Sequence, residues 1–466
     1  MKKIIALLFA VLLSLTAFTG TALAAPEFDG KVEPFAVLLM DADTGAVLYA
    51  KNADERVEPA STTKIMTLII ALEQADLDSV VTISAKAAGQ RGSLLKVSAG
   101  EKIVMRDLLY GMMLASGNDA AMAVAEAVGG SEEGFAELMN KKAQELGMAH
   151  THFVAPHGMH VENHYTTASD MAILTRYAMQ NPDFAHIVAQ ASYTMPANNK
   201  KSAPWEVKNT NKLLHSDDQY YYKYATGVKT GSTPAAGDCL VSSATKDGMN
   251  LICLVFGDEF NGYRRWPLSA ELFEFGFKNF RTLNIQAVMD AAGPVSVPVQ
   301  GAAEDAPQTV QLSIKNAAGE YQTFDKDTAD KIESGSLTSR ITLSGGDALT
   351  APVTAGSEVG TIDYLDDAGN LIYRGVLVAQ ESVEAASEPV PETSPAPSGT
   401  RSPVTRAPEG AGSGIGTLGW ILIAVGGVLL ILLILFSALL IARKRRYARR
   451  RARRRRPSQH SSQRGR

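Results

Sequence analysis

Cys239-Leu240-Val241-Ser242-Ser243-Ala244-Thr245-Lys246-Asp247-Gly248-Met249-Asn250-Leu251-Ile252-Cys253-Leu254-Val255-Phe256 is a pair of β-prone apolar runs joined by Asp-Gly. A two-residue hairpin turn needs positive φ at both central positions, which Asp-Gly supplies, so these runs form adjacent antiparallel strands. In that register Cys239 faces Phe256 and Cys253 faces Ser242, the two thiols lie on opposite faces of the sheet, and no disulfide is expected. Working outward, 227–230 supplies a further strand. Near the other end of the segment, 35–39 and 46–49 flank Asp41-Ala42-Asp43-Thr44-Gly45 as a second hairpin. Apolar spacing of helical period marks 63–72, 105–115, 120–128, 132–146 and 269–280. Strands from both ends with helices from the middle predict an α+β fold, an antiparallel sheet covered by helices.

The whole chain has 466 residues, 45 Lys plus Arg and 49 Asp plus Glu. This composition excludes disordered and collagen-like proteins. Two cysteines exclude a disulfide scaffold, and no Cys/His spacing suggests zinc. The charge is unevenly spread, because 13 of the 45 basic residues lie after residue 442, where no acid occurs. Residues 1–24 carry Lys2 and Lys3, an apolar run and Ala22-Leu23-Ala24, the pattern of a cleaved signal peptide. Residues 418–442 are uncharged and apolar, and as a helix they would span roughly 37 Å, enough to cross a bilayer. The basic tail 443–466 directly after that span is expected in the cytoplasm by the positive-inside rule, which explains it better than nucleic-acid binding.

The intervening domains are therefore expected outside the cytoplasm: 25–283 as the mixed domain, 284–383 as a small all-β domain, and 384–417 as a Pro/Ser-rich linker of flexible or polyproline type. Within the β-rich part, Asp367-Ala368-Gly369-Asn370 between two alternating runs marks a hairpin.

Three short signals carry chemistry. Ser-x-x-Lys occurs three times, and geometry separates the copies. Ser93 and Lys96 lie in a run that reads as a strand, where positions three apart face opposite ways, and Ser243 and Lys246 straddle a strand end and a turn. Ser61 and Lys64 begin a helix and share one face. An amine there is desolvated and close to the positive helix end; both effects favour its neutral, basic form. A neutral amine beside a hydroxyl is what a nucleophilic serine needs when no histidine serves as base. Helix capping and a snorkelling lysine would give the same letters. Second, Ser116-Gly117-Asn118 joins two helices, where capping by Asn118 or Asp119 is the alternative. Third, Lys229-Thr230-Gly231-Ser232 sets a cation, a hydroxyl and a glycine on one strand, suited to a carboxylate approaching the backbone, although a plain turn uses the same residues.

Ser-x-x-Lys, Ser-x-Asn and Lys-Thr-Gly in this order are the elements of the penicillin-recognising serine enzymes. Together with Asp107-Leu108-Leu109-Tyr110-Gly111, Thr151-His152-Phe153, Pro156-His157-Gly158, Asn163-His164-Tyr165-Thr166-Thr167 and Asn209-Thr210-Asn211-Lys212-Leu213-Leu214, the chain resembles the D-alanyl-D-alanine carboxypeptidases, the low-molecular-mass penicillin-binding proteins of serine peptidase family S11. The resemblance implies the penicillin-binding/β-lactamase-like transpeptidase fold, with Ser61 as nucleophile, Lys64 as base, Ser116 as proton relay and Asn118 as a group positioning the substrate amide. It further implies Lys229 and Thr230 on the substrate carboxylate, with the backbone N–H groups of Ser61 and Ser232, beside Gly231, as oxyanion hole. The implied partners are the peptidoglycan pentapeptide and β-lactams as covalent inhibitors; no cofactor or metal is implied. Ser232 stands where relatives often carry histidine, and Ala155 where they often carry asparagine. The competing functions are a β-lactamase, which needs a deacylating base not found here, and a non-catalytic membrane-tethered wall-binding scaffold. His150, His152, His157, His160 and His164 cluster without any helical spacing of metal ligands.

Overall fold

The computed structural model describes residues 26–315 and 321–386. The expected signal peptide, membrane span and basic tail, with nearly all of the linker, lie outside the described residues. No helix among the described residues is long and apolar enough to cross a membrane.

Two hairpins and one edge strand build the central antiparallel sheet. Its strands are β1 (Ala36–Asp41), β2 (Val47–Lys51), β3 (Ala225–Thr233), β4 (Gly237–Lys246) and β5 (Met249–Asp258), in the spatial order β2-β1-β5-β4-β3. Asp247 and Gly248 have φ of 52° and 83°, and Lys246 pairs with Met249, so the Asp-Gly turn has the expected form. Ser242 faces Cys253 as expected, while the register shifts between Asp238 and Leu240, a bulge that takes in Cys239. The thiols are free, buried and in different core clusters.

Helices cover both faces of the sheet. Cys239, Val241, Ile252 and Leu254 pack toward α1 (Lys64–Gln74), α2 (Met105–Leu114), α3 (Asn118–Gly129), α4 (Glu132–Glu145), α5 (Ala168–Met179) and α6 (Pro182–Ala189). Val37, Leu39, Leu251 and Cys253 pack toward α7 (Arg265–Asn279), where a Cβ on Gly276 would come within 2.6 Å of Leu251. Because both faces are covered, all six residues of β1 are buried, and its sequence is apolar without alternation up to Asp41. The run 93–97, read above as a strand, is not one: Leu95 and Val97 are buried and Lys96 is exposed, but their N–H groups bond the Asp119 carboxylate instead of a neighbouring strand.

Beyond α7 the chain forms β6 (Phe280–Asn284), α8 (Ile285–Ala292), β7 (Ser296–Gln300), β8 (Thr309–Ile314), β9 (Tyr321–Asp325), α9 (Lys326–Glu333), β10 (Thr338–Leu343), β11 (Leu349–Thr350), β12 (Glu358–Leu365) and β13 (Leu371–Ala379). Six of these strands make one sheet, β10-β12-β13-β8-β7-β11, and β6 pairs with β9. This part is not all-β. Two eight-residue helices belong to it, capped by the side chains of Asn284 and Asp325. It has its own buried cluster, including Ile285, Val310, Ile332 and Leu377. Asp41, fully buried at the end of β1, links it to the central sheet. One carboxylate oxygen accepts from the N–H groups of Asp43 and Thr44, the other from the hydroxyls of Thr282 (2.7 Å) and Thr323 (3.0 Å).

Candidate active site

Ser61 lies on the 3-10 turn Ala60–Thr63 that leads into α1, and Lys64 is the first residue of that helix. Residues 64–71 are all buried, so the lysine enters the core with the rest of the first two turns. Its Nζ lies 3.0 Å from Ser61 Oγ, 2.7 Å from Asn118 Oδ1 and 2.9 Å from the His157 carbonyl oxygen. The two carbonyl oxygens only accept, so they take two N–H bonds. A neutral amine then has its lone pair left for the third partner, the Ser61 hydroxyl. Burial holds the Lys64 amine well below the ordinary lysine range; the Lys229 charge adds to this and the Asp119 carboxylate opposes it.

Backbone packing fixes the nucleophile turn from two sides. A Cβ at Gly231 would lie 3.1 Å from Ser61 N, Pro59 O and Ala60 Cβ, a tight fit that any larger residue would have to relieve by pushing the serine turn back. Gly158, at φ 78°, is tighter still, since a Cβ there would sit 1.8 Å from Ala60 O. His164 braces the same turn. Its Nδ1 accepts from Val154 N–H (3.0 Å), which leaves the proton on Nε2 to reach Thr63 Oγ1 (2.9 Å), while the Thr63 hydroxyl donates to Ala60 O. Burial pushes His164 down to about 4 and His157 down to about 3, and both are neutral.

The second and third signals converge on this turn. Ser116 is buried at φ 57° between α2 and α3, and its hydroxyl makes no hydrogen bond among the described residues. Capping does not explain Asn118: the N-cap of α3 is Gly117, with no side-chain cap bond, and the Asn118 amide joins Lys64 Nζ to the Arg91 carbonyl. Lys229 is 1% exposed on β3, and burial brings its amine down to about 7. Its Nζ donates to Thr230 O (3.0 Å), and the Thr230 hydroxyl is 2.6 Å from that of Thr210. The Ser232 hydroxyl turns to Asp238, which is paired in turn with Arg265. Ser61, Lys64 and Asn118 thus touch, and Gly231 lies against the Ser61 backbone. The side chains of Ser116, Thr230 and Ser232 make no hydrogen bond with Ser61.

The histidine cluster disperses. His160 bonds Glu58 and His152 bonds the Asn163 carbonyl, and among the described residues no group of three or more His, Cys, Asp or Glu is placed to hold a metal. Residue typing alone assigned no role to the His157 carbonyl, Gly158 or Thr210, and read Asp119 only as a helix cap. His157, Gly158 and Thr210 stand in the quoted motifs, and a steric demand for glycine at 158 was the one usable signal.

The family model for peptidase S11, described as D-alanyl-D-alanine carboxypeptidase, matches residues 21–260. The chain belongs to this family. It is 32% identical to the D-alanyl-D-alanine carboxypeptidase DacF of Bacillus subtilis over 83% of its own length and 96% of that protein's. With DacC of Escherichia coli the identity is 33%, over 81% and 90% of the two chains. Penicillin-binding protein 5 from Haemophilus influenzae has a similar structure, with a TM-score of 0.65 and 29% identity, covering 77% of this chain and all of that one. As a family member the protein is a serine-type peptidase with the penicillin-binding-protein α+β fold.

Proposed function

We propose that the protein removes the C-terminal D-alanine from peptidoglycan stem peptides through an acyl-enzyme on Ser61, and that β-lactams acylate the same oxygen. The observation that carries this reading is the three-way setting of Lys64 Nζ, with two carbonyl acceptors and one hydroxyl. In acylation, the neutral Lys64 amine takes the Ser61 proton as Oγ bonds to the scissile carbonyl carbon. The backbone N–H groups of Ser61 and Ser232 receive the oxyanion. The carbon–nitrogen bond then breaks, with the proton delivered to the leaving amine through Ser116. Lys229 and Thr230 hold the substrate carboxylate, and Asn118 orients the amide. Water, deprotonated by the regenerated amine, releases the product and restores Ser61.

The same proposal places the catalytic part outside the cell membrane. An N-terminal signal at 1–24, one span at 418–442 and the basic tail at 443–466 in the cytoplasm support that topology. Protease added to intact cells should then digest the peptidase domain and spare the tail; the reverse pattern would refute it.

A fluorescent penicillin tests the chemistry. The wild type should be labelled covalently and should release D-alanine from a pentapeptide, whereas Ser61→Ala should lose both by at least about 10³-fold. Undiminished labelling of Ser61→Ala would refute the assignment. Rapid turnover of the penicillin without release of D-alanine would identify a β-lactamase instead.

A further inference from the structure

Asp119 has no place in the proton path above, yet it is only 1% exposed and its carboxylate is saturated with backbone donors. Oδ1 accepts from Leu95 N–H (2.8 Å) and Ala120 N–H (2.9 Å), and Oδ2 from Lys96 N–H (2.8 Å) and Val97 N–H (3.1 Å). All four donors are neutral, and no cation is paired with it among the described residues. The adjoining ties point the same way. Asn118 N–H donates to Ser93 O (2.8 Å), and Asn118 Nδ2 donates to Arg91 O (2.6 Å). Asn118 and Asp119 thus tie residues 91–97 by hydrogen bonds to the start of α3. A Cβ on Gly117 would lie 2.9 Å from Asp119 Oδ1 and 3.0 Å from Leu95 N, so the turn carrying Ser116 is packed directly on this clasp.

The clasp is also electrostatic. The charged groups acting on Lys64 come from two elements, Lys229 on β3 and Asp119 on α3; His157, whose carbonyl oxygen meets Lys64 Nζ, is neutral. Only Asp119 is an anion. Burial and Lys229 both drive the amine toward its neutral form. Asp119 is the influence that acts the other way, toward the ammonium, and a general base works best when its proton affinity matches the operating pH. Accepting the reading of Lys64 as base, we propose that Asp119 is a positioning residue: its carboxylate fastens residues 95–97 onto the turn that bears Ser116 and Asn118, and it sets a fixed negative charge next to the Asn118 that meets Lys64 Nζ at 2.7 Å.

The test is the pH dependence of penicillin acylation in the full-length protein. Asp119→Asn removes the charge at nearly constant shape, so the ammonium of Lys64 loses its stabilising neighbour. The acid limb should move to lower pH, and the plateau rate should fall about 10-fold or more. Asp119→Glu restores the charge, and should return the limb toward its wild-type position even where the plateau remains low. A lowered plateau with an unmoved limb would mean a purely structural residue and would overturn the inference. If Asp119→Asn does not fold, amide exchange in the wild type decides: Leu95, Lys96 and Val97 should exchange far more slowly than exposed coil, and coil-like exchange would refute the clasp. Retained acylation in Lys64→Arg would break the underlying reading instead, so the two failures are distinguishable.

Discussion

Buried charge is treated in opposite ways around Asp363 in the β-rich region and around Lys64 in the peptidase region. In the β-rich region the buried carboxylate of Asp363, 2% exposed, accepts from Arg374 Nε (2.6 Å) and Nη2 (2.8 Å) and from Arg340 Nη2 (3.1 Å). Those hydrogen bonds, from Arg374 above all, hold it down to about 2, and both arginines reach solvent. Its charge is cancelled where it stands. In the peptidase region Lys64, Lys229, His157 and His164 are buried, and none is hydrogen-bonded to a carboxylate. Desolvation is the main force on each of them. Beside Ser61 the perturbation is left unneutralised, as the proposed proton transfer requires.

The strongest way to break this contrast is Lys64→Arg. It keeps a cation but supplies no base near neutrality, and acylation by penicillin should fall by on the order of 10²–10⁴-fold. Retained acylation would mean that the depressed amine has no catalytic role.

Next in size is the pH profile of kcat/KM, which reports the free enzyme. Lys64 must be neutral, so activity is lost as pH falls through its depressed value. Lys229 must be charged, so activity is lost as pH rises past about 7. Lys229→Arg stays charged throughout and should move the basic limb upward by more than about one unit. A limb that stays in place would assign it to another group.

The smallest effect concerns acid stability, and it sharpens the comparison. His157 and His164 are depressed from 6.5 to about 3 and about 4, so their contribution is fully present above 6.5 and drains away as pH falls through those values. Asp363, depressed from 3.8 to about 2, keeps its contribution down to 3.8. The peptidase region should therefore begin to loosen first. Trp205 and Trp266 report on that region, and the described β-rich residues contain no tryptophan, so their fluorescence should change at a higher pH than amide exchange along β12 and β13. Asp363→Asn should cost the β-rich region about 1–3 kcal/mol and leave penicillin labelling untouched. Coincident transitions would show that the two regions unfold as one.

Local patterns carried most of the fold. The Asp247-Gly248 turn, the facing of Ser242 and Cys253, and the helices α1 to α4 were legible because turn chemistry and apolar period are local. Helices α5 and α6 were missed although Thr167 caps Asp170 N–H and Asn181-Pro182 opens α6, both ordinary start signals. The strand reading of 93–97 failed for a different reason. Its alternation of buried and exposed residues is real, but a distant carboxylate meets the backbone that a strand would have paired. At the site, residue types and spacing singled out Ser61, Lys64, Ser116, Asn118 and Lys229. The His157 carbonyl and the approach of Gly158 to Ala60 depend on tertiary placement, which spacing does not encode.

Asp41 has a bearing on how far the chain can be pared down. Half of the donors on that carboxylate are hydroxyls from Thr282 and Thr323, beyond the last turn of α7. A protein truncated after Asn279 would keep the acid and lose both threonines, leaving one of its two oxygens without these donors at one end of the central sheet. The β-rich segment is thus a structural counterpart of the peptidase, and excising it leaves a wound in the core sheet.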